Sequence, residues 1–150
     1  DVILGDTTTF FGNVNAAGGN DTAYGGPGND ELLVGPGNDR AFGDDGADFL
    51  PLAVGDDYGS GGLGNDDIIG GFGRDTIDAG PGNDNAAGGF DADAISGGPG
   101  DDLLAGELPP GSPPPPVSSP PARDVCNGNA GIDTAVECDV RFAIEILMAA

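Results

Sequence analysis

Apolar side chains return along this chain every ninth residue. Laid out in nines from Ala16 to Ala105, the chain forms ten consecutive repeats without an insertion or deletion. The eighth position is Ala23, Leu32, Ala41, Leu50, Gly59, Ile68, Ile77, Ala86, Ile95 and Leu104, small or aliphatic throughout. The polar half of the pattern is as regular. The sixth position is Asp21, Asp30, Asp39, Asp48, Asp57, Asp66, Asp75, Asp84, Asp93 and Asp102, and the fourth is glycine in every repeat except at Asp91. A period held over this length predicts stacked repeats, each too small to bury its apolar face without its neighbours.

Outside Ala16 to Ala105 the pattern changes. Gly5 to Asn15 reads as a degenerate repeat with about two extra residues, at an end expected to be irregular. Asp1 to Leu4 reads as the end of a repeat cut in half, so the chain is expected to be a mature product or a fragment of something longer. Eight prolines fall between Pro109 and Pro121. Such a stretch is extended and semi-rigid, spanning up to ~40 Å at about 3.1 Å per residue, a spacer or surface loop. The nine-residue frame then returns once, from Gly128 to Val136. From Val136 to Ile146 apolar residues alternate (Val136, Cys138, Val140, Phe142, Ile144, Ile146), a strand signal. The expected organisation is an N-terminal edge over 1–15, a ten-repeat body over 16–105, a Pro-rich linker over 106–125 and a capping segment over 126–150.

The clearest repeats are GGPGNDELL (Gly25 to Leu33), GGLGNDDII (Gly61 to Ile69), GGFGRDTID (Gly70 to Asp78) and GGPGDDLLA (Gly97 to Ala105). They resemble the GGxGxDxUx nonapeptide of RTX proteins. The resemblance implies an all-β fold, a right-handed parallel β-roll (solenoid) with two repeats per coil. Six residues of each repeat would form a calcium-binding turn and three a short strand. It implies calcium ligands at the ten sixth-position aspartates and in the turns of Gly25, Gly28, Gly61, Gly64, Gly70, Gly73, Gly82, Gly97 and Gly100.

Elementary chemistry leads the same way. Glycine at the first, second and fourth positions permits positive φ and turns carbonyls inward. Carbonyl and carboxylate oxygens are the ligands calcium takes, six to eight per ion. With two repeats per coil, one edge stacks Asp21, Asp39, Asp57, Asp75 and Asp93, and the other stacks Asp30, Asp48, Asp66, Asp84 and Asp102. Coils about 4.8 Å apart let an ion sit between an aspartate of one turn and carbonyls of the next, up to ~8 ions in all. The middle residue of each strand triplet would face inward, giving a core one thin layer deep. The repeats Gly43 to Pro51 (GDDGADFLP) and Leu52 to Ser60 (LAVGDDYGS) depart furthest from the pattern and are expected to form the weakest sites.

Composition makes the cation necessary. Leu, Ile, Val and Phe number 33 of 150 residues, near the roughly 20% level where chains stop folding alone. The formal charge is −22, with four arginines, no lysine and no histidine. Self-repulsion on that scale opposes any compact state, and eight dications would contribute roughly +16 against it. Folding and calcium binding are therefore expected to be one event, with a disordered calcium-free chain.

The remaining chemistry is sparse. Nucleic acid would be repelled and meets no basic patch, and no run approaches the roughly 18 apolar residues needed to span a bilayer. Every regularly spaced aspartate already has a ligand role, and no His, Lys or Ser–base pair is available, so the chain is not expected to be an enzyme. Cys126 and Cys138 fit neither CxxC nor a zinc site, and a structural disulfide is the expected reading. The run CNGNAGIDTAVECD from Cys126 to Asp139 resembles cysteine-bracketed ends of some bacterial secreted proteins, which implies a secreted, extracellular, bacterial product. The tail Glu145 to Met148 has a second reading as an uncleaved secretion signal. Ice-binding relatives of the repeat carry Thr at the third position, and none occurs here.

Three roles stay open. The chain is a stabilising or secretion-assisting part of a larger extracellular protein, the repeat region of a secreted hydrolase or toxin (protease, lipase or haemolysin) whose catalytic part lies elsewhere, or an adhesive surface module. Val54, Phe72 and Phe90 should stack in a row, with Tyr24 and Phe42 on an outer strand face. Such ridges mark a surface for an extracellular partner or are covered by the tails.

Overall fold

The computed structural model describes residues 2–4, 11–13, 18–107, 124–132, 134–136, 138 and 140–142. Among these residues the only regular element is the strand. In chain order the strands are β1 (Val2–Leu4), β2 (Phe11–Asn13), β3 (Thr22–Pro27), β4 (Glu31–Leu33), β5 (Arg40–Asp45), β6 (Phe49–Val54), β7 (Tyr58–Leu63), β8 (Asp67–Phe72), β9 (Thr76–Asp78), β10 (Asn85–Phe90), β11 (Ala94–Ser96), β12 (Leu103–Glu107), β13 (Val125–Asn127), β14 (Thr134–Val136) and β15 (Val140–Phe142). Odd-numbered strands form one sheet and even-numbered strands the other, each in sequence order and every pair parallel. This is a parallel β-solenoid of about five regular coils. Its step is 18 residues, as in Ala23↔Ala41↔Gly59↔Ile77↔Ile95.

The eighth-position residues line the interior as expected: Ala23, Leu32, Leu50, Ile68, Ile77 and Leu104 are all buried. The core is nevertheless thicker than one residue per repeat. Strands such as β6, β8 and β10 run through six residues, across the boundary between repeats. Alternation then turns the first residue of the next repeat inward as well. Val34, Leu52 and Ala79, all first-position residues, are fully buried beside the eighth-position wall. Leu52 compensates a gap. A Cβ built on Gly59 would lie 3.0 Å from Leu52 Cδ1 and 3.3 Å from Ile68 Cγ2, so the empty eighth position is filled from the first.

Both ends depart from the expected picture. At the N-terminus, β1 and β2 are paired rather than irregular, with Ile3↔Ala23 and Gly12↔Leu32. Their step of 20 locates the two surplus residues between β2 and β3. At the other end, Gly106 and Glu107 belong to β12, and Asp124 and Val125 to the turn and strand that follow, so the roll takes residues from both ends of the 106–125 segment. Residues 108–123, which include its prolines, lie outside the described residues. Ala94 pairs with Val125 across a step of 31 where a regular coil has 18, an insertion of thirteen residues that leaves the ladder intact.

The alternating run from Val136 to Ile146 is not one strand. β14 ends at Val136 in the even sheet and β15 begins at Val140 in the odd sheet, because the corner of the solenoid falls inside the run. Ile144, Ile146 and the Glu145 to Met148 tail lie outside the described residues. Cys126 stands at an eighth position, in register with Ile95, and forms the expected disulfide with Cys138 at a Cα–Cα separation of 6.0 Å.

Candidate metal centre

Each turn between the sheets occupies the second to sixth positions of a repeat. Glycine at the second and fourth positions adopts positive φ, for instance Gly62 (106°) and Gly64 (138°). The coil geometry imposes this conformation regardless of residue. Asp44 and Ala53 at the second position and Asp91 at the fourth are held at φ 72°, 81° and 78°. The fourth position is crowded too, since a Cβ on Gly64, Gly73, Gly82 or Gly100 would collide with a carbonyl oxygen one coil below. The first-position glycines follow a different rule. Gly25, Gly61, Gly70 and Gly97 are not in the left-handed region and would accept a side chain on backbone grounds. What excludes one is the space they face.

That space belongs to the aspartates. All ten sixth-position aspartates are buried, at 1–4% exposure. One oxygen of each carboxylate is used for stacking: Oδ1 of Asp48, Asp66, Asp84 and Asp102 accepts a hydrogen bond from the backbone N–H of the aspartate one coil earlier, at 2.7–2.9 Å. Asp39, Asp57, Asp75 and Asp93 do the same along the other edge. In Asp39, Asp48, Asp57, Asp66, Asp75, Asp84 and Asp93 the second oxygen, Oδ2, is buried and accepts no hydrogen bond.

An ionised carboxylate without a partner for one oxygen is costly away from water. Burial pushes Asp48, Asp75 and Asp84 up to about 6, Asp57 to about 7 and Asp93 to about 8, against an ordinary value of 3.8. The N–H bond to Oδ1 opposes the shift without cancelling it, and neighbouring aspartates on the same edge add to it.

The Oδ2 atoms of several turns face backbone carbonyls. A Cβ built on Gly25 would lie 2.8 Å from Asp30 Oδ2 and 2.7 Å from the carbonyl oxygen of Gly43 in the next coil. At Gly43 the same place is bounded by Asp48 Oδ2 and the Gly61 carbonyl, at Gly61 by Asp66 Oδ2 and the Ala79 carbonyl, and at Gly70 by Asp75 Oδ2 and the Gly88 carbonyl. A carboxylate and a carbonyl of successive coils therefore converge beside a first-position glycine, with no donor between them. Among the described residues no three acidic or cysteine side chains gather at one point, so a cation here must draw its remaining ligands from backbone carbonyls and water. An all-oxygen site with one carboxylate and several carbonyls suits calcium, a hard cation tolerant of irregular geometry. It suits zinc poorly, which favours nitrogen and sulfur.

Two features of the turns were not anticipated from the repeats. Asp124 continues the ladder beyond Asp93, accepting its N–H at 2.9 Å, and is itself buried. The signal was present, because Asp124 stands two residues before Cys126 as every sixth position stands before its eighth, but the proline run hid the frame. The second is a ladder at the fifth position. Asn65 accepts the N–H of Asn83 at 2.9 Å and Asn83 that of Asp101 at 3.1 Å, with Asn20, Asn29, Asn38, Asp56 and Asp101 in the same role. It runs opposite to the aspartate ladder and skips the steps where Ala47 or Arg74 would have to accept.

Fold and turns together define a parallel β-roll whose corners are lined with inward-facing oxygens. The family model of the RTX calcium-binding nonapeptide repeat (4 copies) matches residues 15–50, 54–86 and 78–108, and the chain belongs to that family. Membership implies calcium binding by a repeat module that is structural rather than catalytic, in a family typically bacterial and extracellular. No curated protein and no solved structure matches the chain.

Proposed function

We propose that this chain is a secreted module that folds when its turns take up calcium, stabilising or assisting the export of a larger extracellular protein. The observation that carries this reading is the set of buried Oδ2 atoms without hydrogen bonds, of which those of Asp48, Asp66 and Asp75 lie beside a carbonyl of the next coil. Without a cation these oxygens oppose folding; with one they join consecutive coils. The ligands would be the sixth-position aspartates and turn carbonyls, and the ion would supply positive charge to a chain of −22. Because extracellular-type sites bind in roughly the 10⁻⁴–10⁻³ M range, low calcium inside a cell would leave the chain extended for export. Calcium outside would then fold it.

Far-UV circular dichroism during a calcium titration tests this. A cooperative gain of strand signal at millimolar calcium, reversed by chelator, is the expected result. Full strand signal in chelator, or no gain at any calcium concentration, would overturn the proposal.

A further inference from the structure

At first-position glycines a carboxylate oxygen and a carbonyl of the next coil converge on the place a Cβ would take. Gly25, Gly43, Gly61 and Gly70 leave the space open between Asp30, Asp48, Asp66 or Asp75 and the carbonyl of the next coil. In three other repeats the first residue is Val34, Leu52 or Ala79, and each is fully buried in the core. In these repeats, those of Asp39, Asp57 and Asp84, the first position carries the Cβ that the glycines lack. We propose that the first residue of each repeat decides whether its turn can hold a cation, so that the repeats of Asp30, Asp48, Asp66 and Asp75 load calcium while those of Asp39, Asp57 and Asp84 do not.

Three of the four open turns (Asp30, Asp48, Asp66) follow one another along a single edge. The opposite edge carries Val34 and Leu52 at the same level. The N-terminal half of the roll is thus held by ions on one edge and by aliphatic packing on the other. Leu52 shows what its turn gains instead, since it fills the space above Gly59. The two repeats least like the consensus also separate: the Gly43 repeat keeps an open turn despite Asp44, whereas the Leu52 repeat does not. This inference rests on the calcium reading of the turns and goes further, from an ion in every gap to an ion count set residue by residue.

One methyl group is enough to test it. Gly61→Ala places a Cβ against Asp66 Oδ2 and the Ala79 carbonyl without demanding a forbidden φ, and Ala79→Gly removes the equivalent Cβ beside Asp84. Native mass spectrometry of the full chain at saturating calcium should show one ion fewer for Gly61→Ala and one more for Ala79→Gly. A second series protects against variants that fail to fold. Asp→Asn keeps the acceptor for the stacking N–H, so Asp48→Asn, Asp66→Asn and Asp75→Asn should each lose one ion, while Asp39→Asn, Asp57→Asn and Asp84→Asn should keep the parental count. Equal losses in both sets would sink the inference and leave the calcium reading standing. A parent chain that binds no calcium at all would remove that reading too.

Discussion

The regular coils, from Gly18 to Glu107, and the coil that closes the described chain, from Asp124 to Phe142, share the stacking ladders, since Asp124 accepts the Asp93 N–H and Asp101 that of Ile132, but the closing coil adds a covalent bond. In the regular coils the same contacts recur at an interval of 18: an aspartate N–H to a carboxylate, at most steps a fifth-position N–H to an Asn or Asp oxygen, and open carboxylate oxygens between. In the closing coil β15 pairs with β13 at a step of 15, three residues short, and the Cys126–Cys138 bond joins strand and corner. A repeated contact works only while a further coil lies above it. In the last described coil a covalent bond adds a joining that needs no further coil. To a cohesion that depends on calcium and pH, the closing coil thus adds one that depends on neither.

The largest effect expected from this contrast is on pH dependence without calcium. Burial raises the folded-state values of Asp48, Asp75 and Asp84 to about 6, Asp57 to about 7 and Asp93 to about 8, above the 3.8 of an exposed carboxyl. The folded coil therefore binds more protons than the unfolded chain. Its stability from these groups is fully present below about pH 4 and is lost as pH rises through about 6 to 8. A calcium-free sample followed by circular dichroism should gain strand signal as it is acidified from pH 8 to pH 4, while the disulfide-closed loop is indifferent. Identical spectra at the two extremes would contradict the assignment of a buried, donor-free oxygen to Asp48, Asp57, Asp75, Asp84 and Asp93.

Next in size is the closing coil. Cys126→Ser with Cys138→Ser should lower stability at saturating calcium by about 3 kcal/mol, the entropy of closing a loop of this length. Calcium affinity of the coils before Glu107 should stay as it was. Differential scanning calorimetry and calorimetric titration separate the two, and a fall in affinity equal to the fall in stability would show that the two regions are not independent.

Smaller still is the relief of backbone strain in the regular coils. Ala53→Gly frees a residue held at φ 81° and should raise stability by about 1 kcal/mol, measured by denaturant unfolding in calcium. The smallest expected effect is Asn83→Ala, which takes away the acceptor for the exposed Asp101 N–H and should cost about 0.5–1 kcal/mol. A loss several times larger would mean that the fifth-position ladder, rather than the carboxylates, sets the spacing of the coils.

Much of this architecture was legible from the period alone. Ten evenly spaced aspartates implied ten equivalent turns, and all ten are buried. The third-position row is present, with Val54↔Phe72↔Phe90 in register and the two phenylalanine rings stacked at 4.7 Å. Tyr24 and Phe42 stack at 4.9 Å on the outer face. What escaped was everything that crosses a repeat boundary. A core read as one residue per repeat leaves out Val34, Leu52 and Ala79, because the inward alternation carries on into the next repeat: Leu52 within β6, Val34 and Ala79 just beyond β4 and β9. The leading glycines were given a conformational reason that belongs to the second and fourth positions; their own reason is space, which a one-dimensional pattern does not record. Asp124 escaped because a thirteen-residue insertion breaks the count without breaking the coil.

Leu52 and Gly59 carry one more consequence. A stack of near-identical units faces slippage: moved by a whole coil, every aspartate finds an equivalent partner and the ladders close again. A side chain missing from one wall and supplied from the opposite wall by the first residue of the same repeat is a lock with a single key, since no other coil offers both an empty eighth position and a leucine to fill it. The repeat that looks most degraded thereby tells one coil from another, giving an otherwise interchangeable stack a single correct alignment.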